Sequence, residues 1–246
     1  MDGSREHTKK LERLGNVLTK AGKDDVLWIV SERSRDQNDH TLDLLSTFKI
    51  PFIYLNSDLS DLDNANLWKQ RQLGVDFILK LWKMGTVDTS SIVYFADINM
   101  VYDPRLFKKI RNIKKAAVWP IGMMGQILIN APVLKDGKFT GIDANANPAS
   151  INTHDTVFPG MAFNIMMLVQ AGKSFGSFCK ADKDLEKCLH KLLGVELSDF
   201  EVIDGKRDVF AWYEASDYYK TSDDNGEKRV FQADLRGIEE KFLKRG

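Results

Sequence analysis

The chain has 246 residues, 43% of them hydrophobic, with 35 lysines and arginines balancing 35 aspartates and glutamates. A formal net charge of zero gives no case for a nucleic-acid or acidic-membrane binder. The apolar runs fall short of a membrane span and the Met1 region lacks signal-peptide character, so a soluble globular chain is expected, as one large α/β domain or two closely packed halves.

Apolar residues at Leu11, Leu14, Val17 and Leu18 mark one helix face over Thr8 to Leu18, stopped by Gly22. Asp25 to Val30 reads as a buried strand, Ser31 to His40 as the loop at its carboxyl end, Thr41 to Phe48 as a short helix and Ile50 to Leu55 as a second strand. Asn56 to Asn66 is loop-like, and Leu67 to Met84 forms a long amphipathic helix. This alternation predicts a doubly wound, mostly parallel nucleotide-binding half. Asp103 and Pro104 start a helix reaching Ile113 as N-cap and first residue. Ala116 to Pro120 is a strand, and Gln126 to Val133 with Lys138 to Ile142 forms a hairpin around Lys135-Asp136-Gly137. Asp143 to Pro159 is an irregular loop. Met161 to Gln170 reads either as a helix or as a strand running into one. Asp184 to Leu193 is an amphipathic helix, Ser216 to Gly226 a polar tail, and Asp234 to Arg245 a terminal helix. Two cysteines, Cys179 and Cys188, are too few for a disulfide framework and are expected as isolated, part-buried thiols.

Ser91 to Asn99 is the most informative stretch. Ile92, Val93, Tyr94 and Phe95 suit the centre of a parallel sheet covered by helices. Asp97 and Asn99 follow at the carboxyl end, where open α/β sheets bind ligands. Two apart, both side chains can point the same way, and their oxygens suit a divalent cation and its phosphates. No Walker loop or Gly-x-Gly-x-x-Gly follows any strand, which counts against the common NTPase and dinucleotide classes.

The run Val93-Tyr94-Phe95-Ala96-Asp97, then Leu106-Phe107 and Val118-Trp119-Pro120-Ile121-Gly122, resembles the β-1,3-glucuronyltransferases of glycosyltransferase family 43. The resemblance continues in order through Ala131-Pro132, Asp136-Gly137-Lys138, Asn147-Pro148, Met161-Ala162-Phe163, Leu185-Glu186 and Trp212. Upstream it includes Leu11-Glu12-Arg13-Leu14 and Gln70-Arg71-Gln72. It implies a nucleotide-diphospho-sugar transferase fold of the GT-A type. Residues 1–99 would form the UDP-binding half and 100–246 the acceptor half of one continuous domain, with a smaller acceptor-side sheet.

The resemblance also implies an activity, the inverting transfer of glucuronate from UDP-glucuronate to the 3-hydroxyl of a terminal galactose on a glycan. Glu186 falls on the general base, Asp97 on the nucleotide aspartate, Asn99 on the manganese ligand and Ile98 on the aspartate between them. Arg71 falls on an arginine that contacts the diphosphate, a task suited to a bidentate guanidinium. Glu32 lies within one residue of the acidic group that recognises uracil. Tyr213 and Ala215 stand where a histidine and an arginine hold the diphosphate. Asn130 replaces an acceptor-contacting glutamate, Asn147 replaces another such residue, and Asp155 lies a few residues from an acceptor aspartate. A manganese cofactor, a homodimer and a Golgi location complete the expectation, although the family's amino-terminal membrane anchor has no counterpart here.

Other readings stand beside it. Loss of a metal carboxylate and two diphosphate partners fits a weakened or inactive member that binds a nucleotide sugar, a glycan or a partner enzyme. An unrelated doubly wound nucleotide-binding protein is the third. Trp119 and Trp212 read as core aromatics or sugar platforms, His154 and Asp155 as a solvated loop pair or a catalytic one, and His190 as a partner of Glu186 one helical turn away.

Overall fold

The structure is a computed structural model that describes residues 3–56, 66–124, 127–144, 160–172, 178–179, 185–203 and 209–213. Helix α1 (Gly3–Gly22) extends the amphipathic segment at both ends and buries Leu11, Leu14, Leu18 and Ala21. A Cβ at Gly15 would lie 2.5 Å from the Phe48 ring, so the glycine is what lets this helix close on that side chain.

Strands β1 (Trp28–Glu32) and β2 (Phe52–Asn56) pair in parallel, with Glu32 opposite Asn56. Helix α2 (Asp39–Thr47) makes the crossover. Asn38 caps it, accepting at 3.0 and 3.3 Å from the His40 and Thr41 N–H groups. Helix α3 (Asn66–Lys83) leads to β3 (Ile92–Tyr94).

β3 belongs to a four-stranded sheet ordered β10-β5-β9-β3, with β5 at Ala116–Val118, β9 at Met161–Asn164 and β10 at Phe200–Val202. The expected place of β3 at the centre of a parallel sheet is corrected here: among the described strands it takes an end position and pairs antiparallel with β9. Burial explains the order. Met161, Ala162 and Phe163 are fully enclosed, whereas Ile92 and Tyr94 of β3 keep part of their surface exposed, so the more apolar strand takes the interior. β9 runs straight into helix α5 (Ile165–Ala171), which selects the strand-then-helix reading of that segment.

A five-stranded sheet is ordered β4-β11-β6-β7-β8, from Met100–Tyr102, Ala211–Tyr213, Ile121–Met124, Ile127–Lys135 and Lys138–Ala144 respectively. Asp136 and Gly137 turn the β7–β8 hairpin with φ of 51° and 75°, the left-handed pair of a tight two-residue turn. Helix α4 (Pro104–Ile110) begins as expected, the Asp103 carboxylate accepting from Arg105 N–H at 2.9 Å. Among the described pairings β1–β2, β5–β10 and β6–β11 are parallel and the others antiparallel, so the α/β architecture is more mixed than the alternation alone suggests. One core unites Leu11, Leu14, Trp28 and Tyr54 with Tyr102, Leu106, Trp119 and Phe210.

The cysteine expectation is overturned. Cys179 and Cys188 form a disulfide, their Cα atoms 5.7 Å apart. Cys188 lies on the buried face of helix α6 (Leu185–Leu193), and Cys179 is enclosed beside it, which brings together thiols that are nine positions apart. The segment between Asn56 and Asn66, most of the Asp143–Pro159 loop, the polar tail and the terminal helix fall outside the described residues.

Tyr94 meets Tyr102, Phe107 and Trp119 with ring centroids 6.1, 5.8 and 5.5 Å away. Enclosure holds the Tyr94 and Tyr102 phenols above the ordinary 10.0. The fold therefore keeps two protons that the unfolded chain releases above about pH 10, and stability must fall as pH rises through that range. Thermal melts between about pH 8 and about pH 11 should show the decline beginning near pH 10, with tyrosinate absorbance from these rings arriving only on unfolding. A melting temperature constant to about pH 11 would contradict this account.

Candidate functional site

The chain leaves β3 at Tyr94 and enters β4 at Met100, turning at Ile98 and Asn99. Tyr102 pins this turn from β4: its hydroxyl accepts from Asp97 N–H at 2.7 Å and donates to the Asp97 carbonyl at 3.0 Å. Asp97 Oδ1 accepts from the Asn99 N–H at 2.9 Å and from Asn99 Nδ2 at 3.0 Å, the self-contained geometry of an Asx turn. The two side chains expected to share an ion thus bond to each other. Spacing alone allows a common direction, but the tight turn gives Asp97 a donor nearer than solvent.

The other carboxylate oxygen is held from a distant part of the chain. β11 runs beside β4 with Tyr213 opposite Met100, and the Tyr213 hydroxyl donates to Asp97 Oδ2 at 3.1 Å. Burial, then the Asp97 charge, raise the Tyr213 phenol above its usual range, so it stays a donor at neutral pH. Arg71 on α3 lies near enough for its charge to oppose that rise. Helix α1 packs on β4 and α4 and brings two cations to the same turn. Lys10 Nζ donates to Asn99 Oδ1 at 3.1 Å, and Arg13 donates to the Ile98 and Met100 carbonyls at 3.4 and 3.3 Å.

The structure therefore gathers Asp97, Asn99, Tyr213 and Arg71 at the carboxyl end of β3. Glu32 ends β1, where the Tyr54 hydroxyl donates to its Oε2. Asn130 is buried on β7, opposite Ile121 of β6. Glu186 is the second residue of α6. Asn147, Asp155 and His154 fall outside the described residues. Trp119 is a core side chain and not a sugar platform, being 1% exposed, while Trp212 is half-buried on β11. The His190 ring lies 5.3 Å from that of Phe200.

Sequence reading missed Lys10 and Tyr102. Lys10 and Arg13 sit three apart, flanking the buried Leu11 and Leu14, so one helical face already carried the signal; nothing local to Tyr102 points at Asp97. A separate cavity of about 1140 Å³ lies between the β7–β8 turn and the end of α6, lined by Lys135, Lys138, Phe139, His190, Lys191 and Glu196. No residue of the 97–102 turn reaches it.

Residues 14–216 match the model of glycosyltransferase family 43. The chain belongs to this family. Curated relatives of this family 43 chain include two named galactosylgalactosylxylosylprotein 3-beta-glucuronosyltransferase. One is sqv-8 of Caenorhabditis elegans, 24% identical over 86% of this chain and 62% of its own length. The other is the P form of Drosophila melanogaster, 25% identical over 85% of this chain and 43% of its own. A rice protein (Oryza sativa subsp. japonica) named "Probable beta-1,4-xylosyltransferase IRX9L" is 26% identical over 64% of this chain and 35% of its own length. The chain thus spans between about two fifths and just over three fifths of the two glucuronosyltransferases. A solved nucleoside-diphosphate-sugar pyrophosphorylase from Vibrio cholerae RC9 aligns with the family 43 chain at a TM-score of 0.43 and 17% identity, over 76% of this chain and 77% of that one.

Proposed function

We propose that this chain is an inverting glycosyltransferase that moves a sugar, glucuronate by family resemblance, from its UDP donor to a galactose-terminated glycan of the proteoglycan-linker or glycoprotein type. The observation that carries the reading is the pinned turn at the end of β3, where Asp97 meets Tyr213 across 116 residues of chain, with Lys10, Arg13 and Arg71 close by. In a single displacement the acceptor oxygen attacks the anomeric carbon while the bond to the diphosphate oxygen breaks, and UDP departs with the bonding electrons. A general base takes the acceptor's proton, and cations stabilise the charge growing on the diphosphate.

The roles proposed here follow the family resemblance. Glu186 is the base. Arg71 offers a planar fork to the diphosphate. Asp97 Oδ2, with one lone pair on Tyr213, keeps another for a nucleotide hydroxyl. Glu32, with Tyr54 donating to it, is by resemblance the carboxylate that accepts from the uracil N–H. Asn130, Asn147 and Asp155 read the acceptor. Asp97→Ala removes that acceptor and frees both Asn99 and Tyr213, and should weaken UDP binding about tenfold or more. Calorimetry checks this, and unchanged affinity would remove Asp97 from the site.

The decisive assay follows UDP release and product anomer with UDP-glucuronate and UDP-xylose, against galactose-terminated acceptors. The expected result is UDP-glucuronate-dependent transfer with inversion. Preference for UDP-xylose would reassign the donor within the family. UDP binding without turnover would favour the non-catalytic member, a reading supported by Tyr213, which turns its hydroxyl onto Asp97 where the family carries a diphosphate-holding histidine. The Cys179–Cys188 disulfide supports an oxidising compartment, in keeping with the Golgi lumen. A homodimer is proposed from resemblance alone.

A further inference from the structure

We propose that the Lys10 ammonium, beside Arg71, supplies the contact to the donor diphosphate that a divalent metal at Asn99 would otherwise make in this chain. The inference rests on the reading of this cleft as a nucleoside-diphosphate-sugar site.

A hard divalent cation takes six or more oxygen ligands and favours carboxylates among them. The side-chain oxygens of Asp97 and Asn99 each already accept from at least one protein donor, so a metal would have only their remaining lone pairs. Asp97 Oδ1 holds two donors from Asn99, at 2.9 and 3.0 Å, and Oδ2 holds Tyr213 at 3.1 Å. The Asp97 carbonyl accepts from the Tyr102 hydroxyl at 3.0 Å and from Met100 N–H at 3.1 Å. The Ile98 and Met100 carbonyls carry Arg13. Asn99 Oδ1, the atom that would reach a metal, accepts from Lys10 Nζ at 3.1 Å. Asn99 brings no charge, and among the described residues no group of three or more His, Cys, Asp or Glu could hold an ion. A metal on Asn99 would also be repelled at short range by Lys10 and Arg13. The donor set does not fit manganese.

It does fit a lysine cation. An ammonium has three N–H donors. Lys10 places one on Asn99 Oδ1 and another on Glu6 Oε1 at 2.6 Å, which leaves the third for a phosphate oxygen. Its side chain is 25% exposed, so it is held in place yet reachable. Lysine binds phosphate as a point charge, and lysine or arginine clamps stabilise departing phosphates much as metals do. Asn99 is then a neutral hydrogen-bonding rest for Lys10, and the ammonium's charge is shared only with the exposed carboxylate of Glu6, which a diphosphate can compete with.

The test is calorimetric titration of UDP, and of uridine, into the whole chain in EDTA and in manganese. UDP should bind in EDTA, with manganese changing its affinity less than about twofold. Lys10→Ala should weaken UDP by about tenfold or more and leave uridine unchanged, and Lys10→Arg should keep most of the affinity. UDP binding that requires manganese and is indifferent to Lys10→Ala overturns the proposal while leaving the nucleotide site intact. Metal-free binding that Lys10→Ala does not weaken overturns it too, as does an equal loss of uridine, which would mark Lys10 as structural. No UDP binding in either condition overturns this proposal together with the nucleotide-site reading.

Discussion

Glu186→Gln is expected to lower sugar transfer by roughly a hundredfold to ten-thousandfold while leaving UDP affinity unchanged. The substitution keeps the size and one acceptor oxygen, and replaces the charged, proton-accepting carboxylate with a neutral amide. Glu186 is the second residue of α6, and the first turn of a helix favours negative charge, the form a general base must have before the reaction. The helix itself is well anchored: Cys188, Leu189, Leu192 and Leu193 are buried, and the disulfide ties Cys188 to Cys179. A charge removed here should change kcat and leave the fold alone. Single-turnover transfer and UDP calorimetry on the same preparation check the split. Undiminished turnover would exclude Glu186 as the base, and parallel loss of UDP binding would assign it to donor binding.

Trp119→Ala is the largest expected effect on stability, about 3 to 5 kcal/mol, or a fall in melting temperature on the order of 10 °C. Trp119 links β5 to β6, is 1% exposed and packs on Tyr94, whose strand leads into the Asp97 turn. Alanine leaves a void that the surrounding strands cannot close without moving. Trp119→Phe should be much milder, within about 1.5 kcal/mol of the parent, because the indole Nε1 finds no acceptor among the described residues and its loss removes an uncompensated buried donor. Equal melting temperatures for Trp119→Ala and the parent would contradict the core position of this ring.

Elements with a local cause were legible in the chain. The apolar spacing of Leu11, Leu14 and Leu18 announced α1, Asp103 and Pro104 announced α4, and Asp136-Gly137 announced the β7–β8 turn. Each depends on neighbours within a turn or two. The short strands β4, β6, β10 and β11 were not legible: three or four residues carry no resolvable period, and they exist because the sheets supply their partners. The place of β3 at the end of its sheet was hidden for the same reason, since it depends on how deeply β9 is buried.

The same division runs through the site. Residue identities alone marked Asp97 and Asn99 as a strand-end pair, and the ordered motifs from Leu11 to Trp212 carried the family. Which atoms meet was decided by tertiary structure. The turn folds Asn99 onto Asp97, β11 brings Tyr213 to the second carboxylate oxygen, and α1 lays Lys10 on Asn99 from 89 residues away. Sequence determines which donors and acceptors a chain possesses. Packing determines which donor is nearest to each acceptor, and hydrogen bonds, falling off steeply with distance and angle, follow proximity in space over proximity along the chain.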